Sequence, residues 1–186
     1  MEINTLIGSI DDIESLEVYN PKRHSIILNN VNCQGSLGNV IGWKLREKYP
    51  MIEQPYLKYV NSVEKNRRRV LLGTVLPVPI TTHKQLLHIF TQLHWGKEGR
   101  FVDYEAFYKA MKDVQHKLGE DAKYFDVYFP NNIGCDQAGG NWKIINTIIE
   151  ETLGKINCNL YAVKYISSGN LYQSDNNFNY KDNFNR

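Results

Sequence analysis

Two separated stretches carry the residues whose types and spacing could do chemistry. The first runs from Asn29 to Gly42 and reads Asn-Asn-Val-Asn-Cys-Gln-Gly-Ser-Leu-Gly-Asn-Val-Ile-Gly. It leaves an apolar run, passes through glycines and amides, and enters a helical pattern. Such a junction suits an anion: glycine lets backbone approach closely, and the following helix N-terminus offers free N–H groups and partial positive charge. The second stretch, Ile133-Gly134-Cys135-Asp136-Gln137-Ala138-Gly139-Gly140-Asn141-Trp142, has the same character. A second loop of this kind from elsewhere in the chain strengthens the reading of a phosphate-holding site. Cys33 and Cys135 have no evident base beside them and read as small buried side chains rather than nucleophiles. His94 and Trp95 lie in a glycine-containing loop, His94 to Arg100, that could lean over a ligand, whereas spacing suggests no partner for His24, His83, His88 or His116.

The chain that must position these loops has 186 residues, enough for one domain with a full core and a tail. Its formal charge of +2 is too small to argue for nucleic acid by bulk electrostatics. The one basic cluster, Lys65 with Arg67, Arg68 and Arg69, reads as a solvated turn. No apolar run approaches a membrane span, and the acidic start Met1-Glu2 is unlike a signal peptide, so a cytoplasmic protein is expected. Cys33, Cys135 and Cys158 match neither a disulfide framework nor a zinc site, which predicts free thiols and no metal.

Residues 2–8 alternate and end on glycine, predicting a first strand; 13–23 read as surface connection with a turn at Asn20-Pro21. The continuous apolar run opening 25–32 predicts a strand buried on both faces. Val40, Ile41, Leu45 and Tyr49 fall at helical spacing up to Pro50, and a short helix follows within 51–62. Strands are expected at 70–79, 84–93, 124–130 and 157–166. Asp103 is the expected N-cap of a long amphipathic helix ending at Gly119, and 142–153 forms another. Alternating strands and helices predict an α/β sheet with ligands beyond the carboxyl ends of its strands, where both loops belong. Residues 167–186 are rich in Asn and poor in aliphatics, so they read as a flexible tail that could order on a protein partner.

With both loops in place, the sequence resembles the macro domain family, and within it the branch of bacteriophage and fungal ADP-ribose-1″-phosphate phosphatases and deacylating ADP-ribosyl hydrolases. The resemblance rests on Val31-Asn32-Cys33-Gln34-Gly35-Ser36-Leu37-Gly38, Lys48-Tyr49-Pro50 and Asp103-Tyr104-Glu105-Ala106. Phe129-Pro130 through Ile133-Gly134-Cys135 to Ala138-Gly139-Gly140-Asn141-Trp142 completes it, and the match spans residues 1–166 in order. It implies a three-layer α/β/α domain with a mixed sheet of about six strands, binding an ADP-ribose-type molecule and needing no cofactor. Ser9 and Ile10 would meet the adenine and Asn32 the distal ribose. Gly35, Ser36, Leu37, Gly38, Asn39 and Val40 would wrap that ribose and its phosphate, and Ile133, Gly134, Cys135, Gln137, Ala138, Gly139, Gly140 and Asn141 would hold the pyrophosphate.

Four positions depart from that pattern. Ser9 stands where many members carry an adenine-binding aspartate, and Val40 where they carry a glycine. Ala138 stands where the deacylating branch has its catalytic aspartate, and Asn29 where the fungal phosphatases have a histidine. Asp136, two residues from Ala138, is the nearest carboxylate and a candidate general base or ribose ligand; the alternative is a turn-forming role. Intact anion loops without the catalytic groups point first to a binder, including one that sequesters a nucleotide. A hydrolase acting on the distal ribose through Asn32 and Asp136, and an interaction module keeping only the fold, are the alternatives.

Overall fold

The computed structural model describes residues 3–96 and 98–165. Six strands form one sheet: β1 (Asn4–Ile7), β2 (His24–Asn32), β3 (Val75–Pro79), β4 (Lys84–Gln92), β5 (Phe125–Pro130) and β6 (Asn159–Lys164). Their spatial order is β1-β6-β5-β2-β4-β3. Every neighbouring pair is parallel except β3 and β4. The parallel strands therefore all deliver their carboxyl ends to one edge, and β5 lies directly beside β2.

Strand β2 explains why the sheet needs two helical layers. Its Ile26 and Leu28 pack with Val127, Phe129 and Leu160 beneath α3 (Tyr104–Leu118) and α4 (Trp142–Glu151). Ile27 faces the opposite way, toward Leu45 and Tyr49 of the segment around α1 (Val40–Lys48). Val31 shares that second face with Phe90, Tyr56 and Val60, the last two from α2 (Glu53–Asn61). An alternating strand would leave one face wet; a strand apolar on both faces requires cover on both. Helix α3 begins as its sequence predicts, with the Asp103 carboxylate accepting from the Ala106 N–H at 2.9 Å. It ends at Gly119, whose φ of 49° few other residues adopt.

Three expectations change. The 70–79 stretch is not one strand: a 3₁₀ helix occupies Lys65–Leu71, and pairing begins only at Val75. Gly73, at φ 82°, turns the chain while its N–H donates to Phe90, and the Thr74 hydroxyl closes on Leu71. The basic cluster is not wholly solvated, because Arg68 is 6% exposed and donates to the carbonyls of Gln34 and Val63 and to Asn61 Oδ1. The 13–23 connection also enters the core: Ile13 and Leu16 are buried, and Glu14 pairs with the buried Lys84. The expected tail at 167–186 lies outside the described residues. No helix among the described residues is long and apolar enough to cross a membrane.

His88, for which spacing suggested no partner, sits fully buried on β4 with Asn29 opposite it on β2. The carbonyl of Ile52 can only accept, so Nε2 carries the proton at 3.1 Å, and Nδ1 accepts from Asn29 Nδ2 at 3.2 Å. Burial pushes the imidazole from its ordinary 6.5 down to about 4. The unfolded chain therefore takes up a proton that the fold refuses between those values. Stability is intact above pH 6.5 and declines as pH falls toward 4, by about 3 kcal/mol in all. In urea titrations across this range, His88→Gln should flatten the slope of stability against pH by up to about 1.4 kcal/mol per unit. An unchanged slope would show that the imidazole is not held neutral.

Candidate functional site

The first loop is built around one carboxamide. Pairing of β2 with β4 slips between Val31 and Asn32, so that Val31 faces Phe90 while Asn32 faces Gln92, a local bulge that re-aims the strand end. There Asn32 Oδ1 accepts from the Gln34 N–H at 2.9 Å and the Ser36 N–H at 3.4 Å, and Nδ2 donates to the Ser36 carbonyl at 2.7 Å. Tyr56 holds the same residue from α2, its hydroxyl donating to the Asn32 carbonyl at 2.8 Å. Gly35, at φ 83°, makes the turn possible. Asn32 is thus buried and engaged with its own loop. Gly35, Leu37 and Gly38 keep backbone N–H groups with no intramolecular acceptor among the described residues. Asn39 caps α1, accepting from the Gly42 N–H, and Val40 stands half-exposed at the first helical position.

The second loop leaves β5 through Asn131, whose N–H donates to Val163. Asn132, Gly134 and Gly139 all have positive φ, at 60°, 75° and 68°. These left-handed positions let the chain turn tightly between β5 and α4. Cys135, Gly139 and Gly140 donate within the loop, but the N–H groups of Gly134, Asp136, Gln137 and Ala138 have no intramolecular acceptor among the described residues. Asn141 caps α4, its Oδ1 accepting from the Lys143 N–H, while its own N–H donates to the Tyr104 hydroxyl at 2.8 Å.

A third segment braces this loop. The N–H groups of Phe101 and Val102 both donate to the Ala138 carbonyl, at 2.8 and 3.0 Å. A Cβ on Gly139 would lie 2.4 Å from the Gly99 oxygen, and one on Gly140 2.3 Å from the Gly134 oxygen. These two glycines are therefore required by backbone packing. Trp142 anchors α4 against the core, while His94 and Trp95 remain exposed.

At the far end of the same edge, Ser9 gives its hydroxyl to Asp11, and Ile10 is buried against the α1 layer. Tyr165, just beyond β6, lies half-exposed beneath the Lys44 ammonium, 3.5 Å from its ring centroid. No spacing rule connects Tyr56, Arg68 or Tyr165 to the loops. Tyr104 was legible only as part of a helix start.

The titratable groups set limits on the chemistry. Burial pushes the Cys33 thiol up to about 12 and those of Cys135 and Cys158 to about 11, so none is a thiolate near neutrality. The Asp136 carboxylate has no hydrogen-bonding partner among the described residues, and desolvation by the surrounding loop raises its pKa, although the residue as a whole is exposed. No group of His, Cys, Asp or Glu among the described residues could hold a metal.

The fold, with five parallel strands delivering the two glycine-containing loops to one edge, is shared with known structures. A Bacteroides thetaiotaomicron protein superposes with a TM-score of 0.71 at 23% identity, over 89% of this chain and 100% of that chain. A macrodomain protein from Streptomyces coelicolor gives 0.64 at 19%, over 89% and 99%. DarTG of Thermosipho africanus, solved in complex with ADP-ribose, gives 0.62 at 13%, over 88% and 42%. The chain has the macrodomain fold. No protein-family model and no curated protein matches its sequence.

Gly139→Ala should place a side chain against the Gly99–Arg100 backbone in a left-handed conformation, costing about 1–3 kcal/mol. Urea unfolding should show the loss, and faster amide exchange at Phe101 and Val102 should accompany it. Unchanged exchange would mean that the third segment does not lean on this loop.

Proposed function

We propose that the cleft between the two loops binds ADP-ribose or a closely related nucleotide and that the protein acts by holding it, with little or no turnover. The observation that carries this reading is the set of four backbone N–H groups, on Gly134, Asp136, Gln137 and Ala138, left without acceptors among the described residues in the loop beyond β5. A pyrophosphate needs several donors at close range, and backbone donors supply them without the entropy cost of long side chains. The macrodomain fold and the ADP-ribose held by the Thermosipho structure support the choice of nucleotide. On this reading Ser9 lies toward the base. Asn32 shapes the distal ribose pocket by fixing the turn from Gly35 to Ser36. The free thiols accord with the cytoplasmic setting the sequence predicts.

Weak catalysis follows from how the candidate groups are committed. Asn29 bonds His88 inside the core, and Asn32 spends both ends of its amide on its own loop. Ala138 is 6% exposed and offers only its backbone. One observation favours a second reading: the unpaired Asp136 carboxylate has a raised pKa and stands in the loop that would meet the substrate. A hydrolase removing a phosphate or acyl group from the distal ribose would use it as general base.

Calorimetry with ADP-ribose, followed by phosphate release from its 1″-phosphate, distinguishes the two. Saturable heat without turnover is expected. Asp136→Asn should retain or tighten binding, because a negative charge leaves the anion's surroundings. Turnover that disappears in Asp136→Asn would instead establish the hydrolase, and absence of any heat would overturn both readings.

A further inference from the structure

Beside the two loops, on the β4 side, lies a surface cavity of about 340 Å³ whose walls include Arg69, Leu93, Arg100, Asp103, Tyr104 and Glu105. Its acidic groups are already engaged. Asp103 caps α3 through the Ala106 N–H, and Glu105 pairs with Lys109 at 2.7 Å. Its cationic groups are not. Arg100 stacks over the Tyr104 ring at 4.6 Å and makes one long bond, 3.4 Å, to the Val102 carbonyl. The Arg69 side chain makes no hydrogen bond or ion pair among the described residues. The 15-residue α3 begins at the same place, its N-terminus already capped by Asp103.

The cavity is also fastened to both loops. Gln34 of the first loop donates through Nε2 to the Leu93 carbonyl at 2.7 Å, and its own carbonyl accepts from Arg68, the neighbour of Arg69. On the other side, Phe101 and Val102 donate to Ala138, and Tyr104 accepts from Asn141. A charge placed here would therefore sit against walls shared with both sides of the cleft.

We propose that this cavity is an oxyanion site that takes a phosphate group between the guanidinium groups of Arg69 and Arg100. Planar guanidinium groups with unspent donors match phosphate oxygens, and Tyr104 holds Arg100 in place by stacking. The inference rests on the nucleotide reading above for its setting, since the phosphate belongs either to the molecule in the cleft or to a free anion beside it.

The test is a nuclear magnetic resonance titration of the full chain with inorganic phosphate, run alongside calorimetry with ADP-ribose and with its 1″-phosphate. Saturable shifts are expected at the amides of Leu93 and Arg100 to Glu105. Arg69→Gln and Arg100→Gln should each weaken phosphate binding by about tenfold. Arg67→Gln, on the same turn but outside the cavity, should leave it unchanged. All three positions are exposed, so thermal melting should confirm folded variants. A preference for the 1″-phosphate over ADP-ribose that vanishes in Arg69→Gln identifies the ligand's own phosphate as the source. Inorganic phosphate that binds undiminished with ADP-ribose already bound identifies a free anion. Shifts that never saturate, or an equal loss in Arg67→Gln, would overturn the site. Absence of ADP-ribose heat alongside saturable phosphate shifts would overturn the nucleotide reading and leave this one standing.

Discussion

The first loop depends on one buried amide. Asn32 arrives at the end of a strand covered on both faces, where an unpaired polar group would cost free energy that water cannot return. Its oxygen and nitrogen instead close the following turn on itself, and Tyr56 locks the arrangement from α2. A slip in strand pairing one residue earlier turns the amide into that position. Satisfying this single side chain therefore determines the path of the whole first loop, including which backbone groups remain free to meet an anion.

The second loop is supported differently, by backbone against backbone. Glycine-rich loops are readily read as ligand cradles, yet Gly139 and Gly140 have a prior task here, because neighbouring carbonyl oxygens occupy the space a Cβ would need. The free donors belong mostly to the residues between the glycines. Division of labour within the loop follows: glycines permit the packing that curves the backbone, and Asp136, Gln137 and Ala138 keep N–H groups unspent by the described residues. The bracing segment Gly99–Val102 makes the curvature a property of three chain regions rather than one.

Much of this was legible in the residues alone. The apolar run before Asn32, the two glycine-containing loops that follow strands, the Asp103 cap and the Gly119 stop are local signals, and each is where its pattern placed it. What could not be read depended on groups distant in sequence. Arg68 looks solvated within a basic run until Gln34 and Asn61 supply acceptors for its guanidinium. His88 has no partner until β2 and β4 pair in register with Asn29. The 70–79 stretch misled because its apolar residues serve a 3₁₀ turn before they serve a strand, and periodicity does not separate the two in so short a run. The site residues followed the same rule: loop identity was visible, but the commitment of Asn32 to its own turn was not.

The two borders of the sheet carry a last consequence. At one side the final strand pairs antiparallel and places Pro77 and Pro79 in its five residues; at the other, β1 is only four residues long. Proline cannot donate, and so short a strand offers few groups to an incoming chain. Both borders are thereby poor templates for another molecule's strand, even though Ile7 exposes its side chain there. A sheet with an apolar interior on both faces is in this way given borders that discourage growth sideways.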